Sequence, residues 1–82
     1  MIYSEKSLGQ ILRDMYDNAP NNERVLMIHL FGIKYGDIIV NRNFKIANII
    51  QESGLYESYN REVSKGINLG KYVQIIPEKD IF

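Results

Sequence analysis

The 82-residue chain has no cysteine, a single histidine and no excess of either charge, with ten Lys plus Arg against ten Asp plus Glu. Without cysteine there is no disulfide framework, no thiolate zinc site and no cysteine nucleophile, and a reducing interior, the cytoplasm, is the expected compartment. One histidine without a second imidazole gives no transition-metal pair. A formal charge of zero argues against holding nucleic acid by bulk electrostatics, although a local basic face survives within a neutral total. Long apolar runs are missing too. Val25 to Ile28 is among the longest, far below the ~20 residues of a membrane span, and the first residues lack the apolar core of an export signal. No membrane partner is expected. A chain of this length buries only roughly 60% of its unfolded surface, so its 45% apolar content must be concentrated on a few faces, and self-association would help.

Those faces are helical. Leu8, Ile11, Leu12, Met15, Tyr16 and Ala19 recur at the spacing of an amphipathic helix. Its start has two solutions: Ser7 with Gln10 has capping-box spacing, and Ser4 offers a second cap with Tyr3 stapled onto Leu8. Asp17 to Asn22, around Pro20, forms the stop. A second helix is expected from an Asn22 N-cap. It carries two stripes: Val25, Ile28, Phe31, Tyr35 and Ile39 on one side, and Leu26, Leu30 and Ile33 on the other. Gly32 and Gly36 each cost about 1 kcal/mol relative to Ala in a helix, so the stretch beyond Tyr35 reads as a continued helix, a second helix or a turn. Asn41-Arg42-Asn43 is a polar turn. Phe44, Ile46, Ala47, Ile49 and Ile50 then make the apolar side of a short helix ending at Ser53-Gly54, with Gly54 left-handed.

A fourth helical pattern runs from about Glu57 to Gly70, with Tyr59, Val63, Gly66, Ile67 and Gly70 on one side. Gly66 and Gly70 permit close helix packing. Residues 72–76 read as one short strand, closed by Pro77 and the charged Glu78-Lys79-Asp80. The expected fold class is therefore mainly α: a compact four-helix helix-turn-helix domain with one short C-terminal extended segment, a candidate wing strand. Residues 1–82 form one such domain, with 1–41 as supporting helices, 42–76 as the helix-turn-helix unit and 77–82 as a tail.

The unit itself is carried by Phe44 to Leu55 and by Ser58-Tyr59-Asn60-Arg61-Glu62-Val63-Ser64-Lys65-Gly66-Ile67. This run resembles the bihelical unit of small bacterial and phage DNA-binding regulators, over roughly residues 44–76. The resemblance implies that the second helix reads double-stranded DNA. The residues on its outer face suit that role. Arg61 can donate two bonds to a guanine, Asn60 or Asn68 can pair with an adenine edge, and Ser58, Ser64, Lys65 and Lys71 can hold phosphates. Across residues 42–74, five cations (Arg42, Lys45, Arg61, Lys65, Lys71) face three anions (Glu52, Glu57, Glu62), a local excess of two. That is thin for a DNA binder, and a dimer doubles it.

Plainer readings compete at each point. A polar helix face is often only solvated, and the Leu26, Leu30 and Ile33 stripe is either central core or a homodimer face. His29 reads as a packed or hydrogen-bonded helix residue, Asp14 and Asp17 as solvent-facing, and Tyr16, Phe31, Tyr35 and Tyr59 as core. Tyr56 and Tyr72 are left for the surface. No nucleophile stands beside a base and an orienter, so no enzyme and no cofactor are expected. The alternative function is a protein-interaction module, an adaptor or inhibitor, that keeps the helix-turn-helix shape without DNA and uses Leu69, Tyr72 and the Leu26 stripe as anchors.

Overall fold

A computed structural model of the chain describes residues 2–77. The first helix, α1 (Glu5–Asp17), starts at Ser4, not Ser7. The Ser4 hydroxyl accepts from the Ser7 amide at 3.0 Å while the Ser7 hydroxyl accepts from the Ser4 amide at 2.9 Å. Two otherwise unpaired helix-end donors are thus satisfied reciprocally, with serine in the place usually taken by glutamate. Asn18 closes α1, its side-chain amide donating to the Asp14 carbonyl. Asp17 faces solvent, as expected, and pairs with Arg13 one turn back at 3.0 Å.

Asn22 is not the N-cap of the second helix, α2 (Arg24–Asn41). The turn from Pro20, closed by the Glu23 amide on the Pro20 carbonyl, puts Asn22 in the left-handed region at φ 66°, a conformation asparagine tolerates. Glu23 takes the cap position without a side-chain bond. The helix then runs unbroken through Gly32 and Gly36, so of the three readings the single helix is the correct one. The glycines are tolerated because they face another helix at close quarters: a Cβ built on Gly32 would lie 2.7 Å from the Gly66 Cα. Tertiary packing here outweighs the intrinsic helix penalty.

Asn43, at φ 58°, turns the chain into α3 (Ile46–Ser53), which Gly54 ends in the left-handed conformation at φ 73°. The last helical stretch is split. A 3-10 turn, Glu57–Tyr59, leads into α4 (Asn60–Leu69), so the first expected turn is wound more tightly than the rest. Residues 72–76 are not a strand, and no strand exists among the described residues. The amides of Tyr72 and Val73 fold back onto the Leu69 carbonyl, and among the described residues the segment has no neighbouring strand with which to form a ladder. β-branched composition alone does not make a strand. The expected wing is absent at these positions, and the charged tail from residue 78 lies outside the described residues.

Packing is crosswise: α2 lies chiefly against α4 and α1 against α3. The core contains Leu8 and Leu12 from α1, Ile28 and Phe31 from α2, Ile49 from α3 and Val63 from α4, all fully buried. Tyr35 is buried beside Phe31, with ring centroids 5.2 Å apart, and meets Tyr3 edge-on at 5.6 Å. Val25 departs from its expected stripe and is 41% exposed, whereas Met27 and Ile28 in the turn beside it are buried. The second α2 stripe is also only partly covered. Leu26 is exposed and Leu30 and Ile33 half-buried, and with Met15, Met27, Val73 and Ile76 they line an apolar groove of about 640 Å³. No helix among the described residues is long and apolar enough to cross a membrane.

Candidate nucleic-acid interface

The turn between α3 and α4 is built by Ser53 and Gly54. Buried Ser53 donates its hydroxyl to the Ile50 carbonyl at 2.6 Å and accepts from the Leu55 amide at 3.1 Å, so the chain leaving α3 is pinned to its last turn. Tyr59 then docks the 3-10 turn on α1, its hydroxyl 3.2 Å from that of Tyr16. This hydrogen bond, and burial after it, lift the Tyr59 phenol above its ordinary value. Arg24 lies over the Tyr16 ring, 5.3 Å from its centroid.

From that entry point α4 has two unlike sides. Val63 and Gly66 are buried and Ile67 is half-buried. The contact with α2 is as close as backbones allow, since a Cβ on Gly66 would sit 2.3 Å from the His29 carbonyl oxygen. On the other side Arg61, Lys65 and Asn68 are exposed in a row at helical spacing. Ser58 is exposed just before the helix and Lys71 just after it, whereas Asn60 and Ser64 are half-buried at the borders. The face therefore brings Ser58, Arg61, Lys65, Asn68 and Lys71 to solvent together, flanked by the exposed rings of Tyr56 and Tyr72.

Two features of its electrostatics are not visible in the sequence. Glu62 does not point out with its neighbours. It accepts a hydrogen bond from His29 Nε2 on α2, across thirty-three positions of sequence, and the Lys65 ammonium lies 3.4 Å from its other oxygen. An ionised carboxylate only accepts, so the His29 ring nitrogen is the donor. The hydrogen bond from His29, and then the charge of Lys65, hold the Glu62 carboxyl below its ordinary value against an opposing effect of burial. A group held low in the folded state stabilises it above the ordinary value of 4.5 and loses that contribution as pH falls through the lowered one. Glu62→Gln is accordingly expected to lower the urea midpoint at neutral pH, with the gap to wild type closing at acid pH, below the ordinary carboxyl value of 4.5. Equal gaps at both pH values would show that the ionised pair contributes nothing.

The second feature is at the start of α3. Glu5 of α1 reaches across to accept from the Lys45 amide at 2.7 Å and from the Asn48 side chain at 3.2 Å. A carboxylate thus fills the positive end of α3, where an anion from outside would otherwise be welcome. Lys34 is a further cation, carried on a helix whose pattern is otherwise that of a core element. With Asp37, Lys71, Tyr72 and Gln74 it borders a polar hollow of about 630 Å³ at the end of α4.

A tight turn joining two short helices, the second held by one side and open on the other, defines a small all-helical helix-turn-helix domain. The chain belongs to the HTH-like domain family, which it matches over residues 4–76. That span includes α1 and α2, so the supporting helices belong to the family's domain as much as the bihelical unit does. No curated protein and no solved structure matches the chain.

Proposed function

We propose that the protein binds double-stranded DNA through the outer face of α4 and regulates transcription by occupying an operator. The observation that carries this reading is the division of α4. Its inner side is fixed on α2 at glycine-to-backbone distance, while Ser58, Arg61, Lys65, Asn68 and Lys71 stand together in solvent directly after the turn. A reading helix needs both properties, rigidity behind and hydrogen-bonding side chains in front. Arg61 makes no ion pair among the described residues and is the candidate for a guanine edge, with Asn60 or Asn68 for an adenine. Lys71, Ser58 and Ser64 suit phosphates. Lys65 does too, but must leave Glu62 to do so, which weakens its contribution. No chemical step and no cofactor enter this mechanism.

Three cations on one protomer's face imply a modest salt dependence, a slope of about −0.9 for each phosphate neutralised. A homodimer through Leu26, Leu30 and Ile33 doubles it and presents two reading helices to successive major-groove turns. The test is fluorescence anisotropy with duplexes from the gene's upstream region at two salt concentrations. Arg61→Ala is expected to weaken binding by about 1 to 3 kcal/mol and to blur the preference at one base pair, whereas Lys65→Ala weakens all duplexes alike. Absence of binding at low salt, or variants that bind as wild type does, would overturn the reading.

A further inference from the structure

The outer face of α4 is not polar throughout. Lys65, Asn68, Leu69 and Tyr72 stand at i, i+3, i+4 and i+7, the spacing of one helical stripe, and together line a shallow hollow of about 330 Å³. The Tyr72 amide bonds to the Leu69 carbonyl at 2.9 Å, so the chain stays wound past the end of α4 and keeps Tyr72 next to Leu69. Leu69 is 44% and Tyr72 85% exposed, and neither belongs to the hydrophobic core or packs against it. An apolar pair thus follows directly on the hydrogen-bonding residues of the same face.

Chemistry decides what fits there. This is the C-terminal end of the helix, where the dipole is negative and an anion is welcome only at a cation such as Lys71. Leu69 has no side-chain donor to offer a phosphate or a base edge. Asn68, beside it, suits the N6 and N7 atoms of an adenine, and the same A·T pair presents the one apolar group on the floor of the major groove, the C5 methyl of thymine. We infer that the hollow seats a thymine methyl against Leu69, with Tyr72 closing one side, so that α4 selects an A·T pair at this end of its footprint. The inference rests on the DNA-reading role proposed for α4 and names the base that this part of the face reads. Leu69 follows Arg61 by eight residues, roughly 12 Å of helix or about three to four base pairs along the groove, which is the separation expected between the thymine and the guanine read by Arg61.

Uracil tests this directly, because it keeps every hydrogen-bonding group of thymine and lacks only the methyl. The upstream-region duplex is prepared twice, once with thymidine and once with deoxyuridine throughout, and both are titrated by fluorescence anisotropy at one low salt concentration. The wild-type chain is expected to bind the thymine duplex about fourfold more tightly for each methyl seated, the equivalent of ~0.8 kcal/mol for one buried group of that size. Leu69→Ala, at an exposed position where alanine favours the helix, is expected to keep the wild-type circular dichroism and to bind the two duplexes alike. Arg61→Ala is expected to weaken both and keep the ratio. Equal binding of the two duplexes by the wild-type chain, or a Leu69→Ala protein that retains the wild-type ratio, would overturn the inference while leaving the α4 reading in place. Binding to neither duplex would overturn the α4 reading, and this inference with it.

Discussion

Gly66→Ala is expected to destabilise the protein by about 3 kcal/mol, although alanine is the better helix former by about 1 kcal/mol. The two effects oppose each other, and distance decides between them. The added Cβ would meet the His29 carbonyl oxygen at 2.3 Å and the Gly32 Cα at 2.9 Å, backbone atoms that move only if α2 and α4 move apart. The space is closed from both sides. Separation would loosen Val63 and Phe31 at the centre of the core and draw Glu62 away from His29. For a domain of 60–100 residues each kcal/mol shifts the melting temperature by roughly 4–8 °C, so a fall of at least about 12 °C is expected in a thermal melt. A melting temperature at or above that of wild type would mean that the helices separate at little cost.

Phe31→Ala is expected to cost more, about 3–5 kcal/mol, by emptying the largest fully buried side chain. The ring touches Tyr35 and lies among helices from both crosswise pairs, so no single neighbour can collapse into the space. At roughly 0.05–0.15 kcal/mol per residue, total stability is of order 4–12 kcal/mol, and this one change removes a large part of it. Urea unfolding checks the expectation. A midpoint lowered with an unchanged slope identifies a cavity, whereas a broad transition at reduced slope indicates that uniqueness of packing is lost as well. A loss below about 1 kcal/mol would show that the site repacks.

The helices are legible in the sequence because their apolar stripes follow the helical period, and the core stripe of α1 appears at its expected positions: Leu8, Leu12 and Met15 are buried. Gly54 is legible for the same kind of reason, a local one: glycine after the last apolar residue of a helix suits the left-handed stop. Continuity of α2 is not, since what allows Gly32 to sit in mid-helix is Gly66, thirty-four positions away. The strand expected at residues 72–76 fails because propensity describes a segment, whereas a ladder requires a partner that the described residues do not supply. On the candidate interface, the alternation of polar and apolar positions is enough to separate the outer face of α4 from its buried side. The inward turn of Glu62 is invisible, because nothing local distinguishes a glutamate that meets a histidine on another helix from one in solvent. Glu5 at the start of α3 belongs with it, a contact across forty residues.

The crosswise packing has a consequence for how the molecule comes apart. With α1 on α3 and α2 on α4, the two pairs are threaded through each other in chain order, and a cut between α2 and α3 divides both of them. The bihelical unit is therefore not a portable cassette. Severed after Asn41, it would lose the stays of both its helices at once, Glu5 from the start of α3 and the glycine seat from under α4, and the polar outer face of α4 would dissolve with them.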